Sequence, residues 1–402
     1  MDFDWNSEQE MWRKAVHDFA QKEIAPRVRE LDTSGEIPAE IIQGMAQMGL
    51  LALTVPEAYG GMGADWTMAC IAAEELARAD ISLAVPVLYL VEAAWGSVFA
   101  RHGSEQLKRE VLPKVCAGQA FLGIATTEPS GGSDILGATR CRAARDGDEW
   151  VLNGEKMYIS GVRESGKMGG IHLTLLRTAD TGDHRAFTFI AVPLKDTPGI
   201  TPTLLEDMGR MGISTGGFAM EDVRLPGYHQ VGELNRGFYH AMEGFSAART
   251  LIGATCVGAA EAGLEMGMQW IKERKSFGRP IASYEGIQFP LADLWARLQG
   301  TRLSVYKAAW EMDRFYQKGE GGHHDIAMAA AIVKLQAPIL AWDALNEVAD
   351  WYGAAAYSKE YPIEMGIRGV RSYSIGAEGT LNIQRLIIAR ELLGSEFLPY
   401  RN

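Results

Sequence analysis

The sequence predicts a mainly α-helical protein with one β domain in its middle. Apolar residues recur at helical spacing through 1–120, Gly, Pro and β-branched residues mark 121–235, and four long helical patterns fill 236–402. At 402 residues the chain exceeds the size at which a single core stops growing, which agrees with three parts sharing interfaces.

The first helix is expected to start at Ser7-Glu8-Gln9-Glu10, which has the form of a capping box. Trp12, Val16, Phe19, Ala20, Ile24, Val28 and Leu31 then trace one apolar stripe. Further helical patterns occupy 38–50, 65–79, 85–101 and 104–116, interrupted by the turn-rich run from Val55 to Gly61. Residues 81–100 carry Glu92 as their one charge. Pro86, Glu92 and the lack of a second such stretch favour a buried helix there over a membrane span.

From about residue 121 the period changes. Asp146-Gly147-Asp148 signals a turn into Trp150-Val151-Leu152, and 171–176 and 186–192 are apolar or alternating strands. From Phe238 the helical period returns at about 238–274, 284–317, 326–354 and 380–394, with breaks at Gly278-Arg279-Pro280, Gly319 to Gly322 and Tyr361-Pro362. Four such helices predict an antiparallel bundle.

Lys plus Arg number 39 against 51 Asp plus Glu, a formal charge of −12, which repels nucleic-acid backbones and anionic lipid. Cys70, Cys116, Cys141 and Cys256 are too scattered for a metal knuckle or a secreted disulfide framework, and read as reduced core residues. The start, Met1-Asp2-Phe3-Asp4-Trp5, lacks signal-peptide features, so a cytoplasmic protein is the expectation.

No Gly-x-Gly-x-x-Gly follows a strand, and neither a Ser nucleophile elbow nor a Cys/His pair occurs at a recognisable spacing. His323-His324-Asp325 lacks a partner motif for a metal and is expected to be a solvated loop, so no metal site is assigned. The run from Thr126 to Asp134, rich in hydroxyls and glycines, could admit a polar ligand close to the backbone; taken alone it is better read as a plain surface loop.

Several motifs read in order carry more weight. They are Pro56 to Gly61, Glu74-Glu75-Leu76-Ala77-Arg78, Thr127-Glu128-Pro129 through Ser133-Asp134, Asn153-Gly154-Glu155-Lys156-Met157-Tyr158-Ile159-Ser160, Glu221 to Pro226, Arg274-Lys275-Ser276-Phe277-Gly278, and Glu378-Gly379-Thr380 with Ile383-Gln384-Arg385. Together they resemble the acyl-CoA dehydrogenase family over nearly the whole chain. The resemblance implies an N-terminal helical domain, a middle β-barrel-like domain and a C-terminal four-helix bundle, commonly assembled as a homotetramer. It also implies FAD held between the β domain and the bundle, acyl-CoA as substrate and an electron-transferring flavoprotein as re-oxidant.

By position, Ile124, Thr126, Thr127, Tyr158, Ser160 and Thr380 match flavin contacts, Tyr158 standing where the family usually has Trp. Ser133 matches a residue near both flavin and CoA. Arg274, Ser276, Phe277 and Gln288 match contacts to the FAD of a neighbouring subunit. Glu378 matches the base that removes the α-proton, a task for which burial prepares a carboxylate by raising its pKa. The alternative base position of some branched-chain members falls on Ala248, leaving no rival there, and the next residue, Arg249, is expected beside the base. Ser246, Arg249 and Gly379 complete the substrate contacts. Glu92, among Val87, Leu88, Leu90, Val91 and Trp95, is either a paired core carboxylate or a pocket residue.

Three departures stand out. Arg368 to Glu378 is one residue longer than the family spacing, so Ala377 fills the base position when aligned from the arginine and Glu378 when aligned from Gln384; keeping the carboxylate beside Gly-Thr favours Glu378. Gly353-Ala354-Ala355-Ala356-Tyr357 replaces a glycine-rich turn on the adenine side of FAD, and Asp350 replaces a Gln. These changes point to a branched or ring-containing acyl group. The same fold also hosts oxidases, flavin monooxygenases and DNA-protecting flavin proteins, which remain the alternatives.

Overall fold

The computed structural model describes residues 4–397. Six α-helices open the chain: α1 (Ser7–Phe19), α2 (Val28–Ser34), α3 (Ala39–Gln47), α4 (Trp66–Ala79), α5 (Ala84–His102) and α6 (Glu105–Cys116). The cap of α1 lies one residue earlier than the sequence pattern suggested, because the Asn6 side chain accepts from Gln9 N while Gln9 returns a bond to Asn6 N. Every residue of α5 from Ala84 to Ala100 is buried, so the apolar 81–100 stretch is a core helix of the fold.

The middle of the chain forms β1 (Phe121–Ala125), the short α7 (Ile135–Ala138), β2 (Arg142–Asp146), β3 (Glu149–Ser160), α8 (Val162–Met168), β4 (Gly170–Arg177), β5 (Phe187–Val192), β6 (Ile200–Leu205), β7 (Thr215–Pro226) and β8 (Gln230–Val231). The strand order is β6-β7-β3-β2-β4-β5-β8, with β1 added in parallel beside β4. Trp150, Leu152, Phe218, Val223 and Leu225 form a core within this sheet, while Phe121, Leu173, Phe187 and Phe189 join the main helical core. That division fixes the sheet against α5 and the bundle. Gly170 permits the β1–β4 pairing: at φ +109° a Cβ would stand 1.9 Å from Phe121 O. Gly170→Ala is therefore expected to cost about 2–4 kcal/mol, from backbone strain plus overpacking; an unchanged denaturant midpoint would contradict the close approach.

The bundle comprises α9 (Gly237–Glu273), the β9 (Lys275–Ser276) and β10 (Arg279–Pro280) hairpin, α10 (Glu285–Lys318), α11 (His323–Tyr352), α12 (Ile363–Ile375) and α13 (Leu381–Leu393). α12 is a helix the periodicity did not reveal; Gly366 and Gly369 weaken its propensity, and packing on α11 and α9 supplies its order. His323-His324-Asp325 forms the first turn of α11 instead of a loop, with the Asp325 carboxylate accepting from Gly322 N. Among the described residues, His323–Tyr357 is long and apolar enough to cross a membrane, yet 56% of its apolar window is buried inside the protein. The four cysteines are buried and unpaired.

Candidate active site

A cavity of about 800 Å³ opens where the β domain meets the bundle. That volume suits a small-molecule or cofactor site, for which roughly 300–1,000 Å³ is usual. Its first wall is Ile124 of β1 and the loop that follows, including Thr126, Thr127, Gly132 and Ser133. The loop is anchored from below by a buried ion pair, with Lys156 Nζ 2.8 Å from Glu128 Oε1 and 3.1 Å from Thr126 O. Glu128 also accepts from Arg140 N at 2.6 Å and Cys141 N at 3.1 Å. Burial alone would raise the Glu128 carboxyl, but Lys156 and these donors outweigh it and hold it below its usual range.

The second wall comes from β3. Its register against β7 breaks between Met157 and Ile159, and Tyr158 takes φ +62° at the break. A left-handed residue in a bulge turns its side chain out of the regular alternation. Tyr158 consequently stands 64% exposed on the cavity wall beside Ile159 and Ser160. Met157 N bonds Thr127 O at 3.0 Å, tying this strand to the first wall.

The third wall belongs to the bundle: Met242, Phe245 and Arg249 of α9, the turn Gly376 to Thr380, and Ile383 and Ile387 of α13. Glu378 is half-buried at φ +57° between α12 and α13. Its carbonyl accepts from Arg249 Nε at 2.9 Å and lies 3.5 Å from Gln384 Nε2, while Lys334 Nζ donates to Gly379 O at 3.2 Å and Tyr373 O at 2.5 Å. Burial pushes the Glu378 carboxyl up to about 7, against the opposing pull of Arg249, Lys334 and Trp95. Burial likewise brings Arg249 down to about 10 and Lys334 down to about 8. α12 ends at Ile375 with Gly376 as its cap, and Glu378, two residues further on, lies on the cavity wall.

The structure therefore brings together Ile124, Thr126, Thr127, Ser133, Tyr158, Ser160, Arg249, Glu378, Gly379 and Thr380. Two residues assigned to the substrate lie elsewhere. Glu92 points to β1, where Leu122 N donates to its carboxyl, and burial raises that carboxyl well above the usual range; Val91 is the α5 residue on the cavity. Because α5 is buried on all sides, periodicity could not tell which face meets the cavity. Ser246 Oγ bonds Met242 O and is turned from the cavity that Met242 and Phe245 line.

Arg274, Ser276, Phe277 and Gln288 also lie outside the lining, from the end of α9 through the β9–β10 hairpin to the start of α10, with Phe277 96% exposed. Lys334 was missed by sequence reasoning, although it is the one charge between Asp325 and Asp343 in a mostly apolar helical run. Away from the cavity, His102, His240 and Glu243 also converge. The Arg101–Glu243 pair at 2.6 Å and the stacked imidazoles at 3.9 Å make this an ion-paired junction of α5 with α9.

Comparison with known proteins follows the same three parts. The family described as acyl-CoA dehydrogenase matches through its N-terminal domain at residues 6–119, its middle domain at 123–223 and its C-terminal domain at 235–393. The chain belongs to the acyl-CoA dehydrogenase family.

It is 36% identical to the probable acyl-CoA dehydrogenase YngJ of Bacillus subtilis, over 98% of this chain and all of that one. It is 31% identical to cyclohexane-1-carbonyl-CoA dehydrogenase of Geobacter metallireducens, over 97% of this chain and 99% of that one. A glutaryl-CoA dehydrogenase from Mycobacterium smegmatis, solved in complex with FADH2, superposes with a TM-score of 0.87 at 25% identity, over 99% of this chain and 97% of that one.

This acyl-CoA dehydrogenase is thus a flavoprotein oxidoreductase of CH–CH groups, and FAD is its cofactor. The residues present fit that group: the bulged Tyr158 offers an aromatic face, and the Thr126–Ser133 loop offers hydroxyls beside it.

Proposed function

We propose that the protein removes the α-proton and β-hydride of an acyl-CoA thioester with Glu378 as the base. The observation that carries this reading is a carboxyl raised to about 7 on the cavity wall, with Arg249 and Lys334 fixing the backbone that bears it. FAD, when bound, supplies the acceptor for the β-hydrogen and its electron pair. Glu378 Oε takes the α-proton, and the electrons left on Cα form the Cα=Cβ bond. Arg249 and Lys334 grip the 378–379 carbonyls and so limit the turn's movement, which suits a step sensitive to ångström-scale placement. Thr126, Thr127, Tyr158, Ser160 and Thr380 hold the flavin, and Ser133 lies where flavin and CoA meet.

The acyl group in this proposal is branched or ring-containing. Val91, Met242, Phe245, Ile383 and Ile387 give an apolar wall, Ala377 leaves room beside the base, and the Geobacter relative is named for a cyclic acyl-CoA. Arg274, Ser276, Phe277 and Gln288 are assigned to the FAD of a second subunit in a homotetramer, which the exposure of Phe277 supports. An electron-transferring flavoprotein is the re-oxidant.

Anaerobic bleaching of the flavin by a panel of CoA esters tests the substrate class: cyclohexanecarbonyl-CoA or a branched ester should bleach fastest. Fastest bleaching by butyryl- or octanoyl-CoA would refute it. The base must be ionised to act, so the bleaching rate should climb as pH rises through about 7 and level off above it, by about tenfold per unit on the acid side. A flat stopped-flow profile across that range would remove Glu378 from the role.

A further inference from the structure

Two arginines at one end of the cavity have different surroundings. Arg368 of α12 is ion-paired with Asp32 and Glu364, each at 2.7 Å, and donates to Met208 O at 3.0 Å. Arg210, in the loop between β6 and β7, lines the same cavity but makes no ion pair among the described residues, Asp207 of its own loop included. Its hydrogen bond runs from Nη2 to Thr215 Oγ1 at 3.4 Å, and its Nε is buried with no acceptor. A buried cationic donor is costly unless a counter-charge meets it, and folded proteins rarely leave one unmet.

The loop holds this side chain in place. A Cβ on Gly209 would stand 2.5 Å from the backbone of Arg368, and one on Gly212 would stand 2.9 Å from Ala84 Cβ, so both flanks pack closely. Arg210, between them, takes φ +60°, a left-handed backbone that is uncommon for a long side chain. Strain of this kind clusters at ligand sites, where the surrounding structure maintains it.

Position decides what the charge acts upon. Thr215 opens β7 and pairs with Ser160 of β3, two residues after the bulged Tyr158. Arg210 is thereby tied to the β-domain wall, the one assigned to the flavin ring, and not to the bundle wall that carries Glu378. In the reaction the β-hydrogen leaves with its electron pair, so the acyl group is oxidised, the ring is reduced and the ring gains one negative charge. A fixed cation beside that ring favours the reduced form, because preorganised charge acts most where charge develops.

We propose that Arg210 tunes the cofactor, its guanidinium supplying positive charge that stabilises reduced flavin in this cavity. The proposal rests on the reading that places the flavin against Tyr158 and Ser160.

The test compares wild type with Arg210→Met and Arg210→Lys by dye-equilibrated reduction of the bound flavin, with no substrate present. Arg210→Met should shift the equilibrium about tenfold toward oxidised flavin, a fall of about 30 mV for two electrons, while Arg210→Lys stays near wild type. Sulfite adds to the oxidised ring and leaves it negatively charged, so Arg210→Met should also bind sulfite about tenfold more weakly. A potential shift equals a change in the ratio of affinities for oxidised and reduced FAD, so a variant that holds flavin loosely is read from those two dissociation constants. Arg210→Gln repeats the measurement with a polar neutral side chain if the methionine variant does not fold.

An unmoved potential in the neutral variant, or an equal fall in Arg210→Lys, overturns the role. If the potential is unmoved and carboxylate-bearing CoA esters bind more weakly, the charge serves the acyl group instead, which also overturns it. Tyr158→Leu tests the placement of the flavin separately. A visible flavin spectrum unchanged by Tyr158→Leu removes the ring from that wall, and the role of Arg210 with it. A perturbed spectrum beside an unmoved potential in Arg210→Met overturns Arg210 alone.

Discussion

Glu378→Gln should bind FAD and acyl-CoA yet bleach its flavin about 100- to 10,000-fold more slowly than wild type, the usual contribution of a placed general base. The amide nearly matches the carboxylate in shape but cannot take the α-proton. The fold should tolerate it, because Arg249, Lys334 and Gln384 place their hydrogen bonds on backbone carbonyls of the turn. A carboxyl raised to about 7 by burial is also one whose replacement by a neutral amide relieves desolvation. Single-turnover bleaching under anaerobic conditions, beside a thermal melt, separates lost chemistry from lost structure. A rate within tenfold of wild type would sink the assignment. It would also reopen the register question, since the extra residue between Arg368 and Glu378 makes Ala377 the match from the other side.

The division into helical, β and helical parts was legible because each part keeps one hydrophobic period over long stretches. Local detail was lost where several residue types serve equally. Asn6 replaced Ser7 as the cap of α1, and α12 hid behind Gly366 and Gly369 because its order comes from packing. The motifs named Thr126, Thr127, Tyr158 and Glu378, and the structure places all four on one cavity. Glu92 and Ser246 looked similar on paper and lie away from it, since a helix buried all round carries no mark of which face meets a ligand. Lys156 and Lys334 were illegible as parts of the site for a different reason. Each acts through a partner distant in sequence, Glu128 and Gly379 respectively, and no local spacing encodes such a pairing.

The Lys156–Glu128 pair should produce the largest stability effect. Lys156→Met is expected to cost about 3–5 kcal/mol, as breaking a buried ion pair from one side generally does. Lys156 has no exposed surface, and its ammonium joins Glu128 to Thr126 O, so its loss leaves a buried carboxylate with the Arg140 and Cys141 N–H groups alone. Glu128→Gln should cost less, because an amide oxygen can still accept from Lys156. If the energy resides in the pair, adding Glu128→Gln to Lys156→Met should restore part of the loss, since the amide removes the stranded charge. The Glu128 carboxyl is held below its ordinary range, so its contribution is present at neutral pH and fades as pH falls through that lowered value. Lys156→Met should therefore flatten the acid limb of the stability curve. Thr126 and Thr127 hang from this anchor, so the same variant should release flavin on dilution more readily than wild type. Urea midpoints of the two single variants and the double, with flavin fluorescence after dilution, measure all of these effects. Strictly additive midpoints with unchanged flavin retention would show that the pair neither couples nor supports the loop.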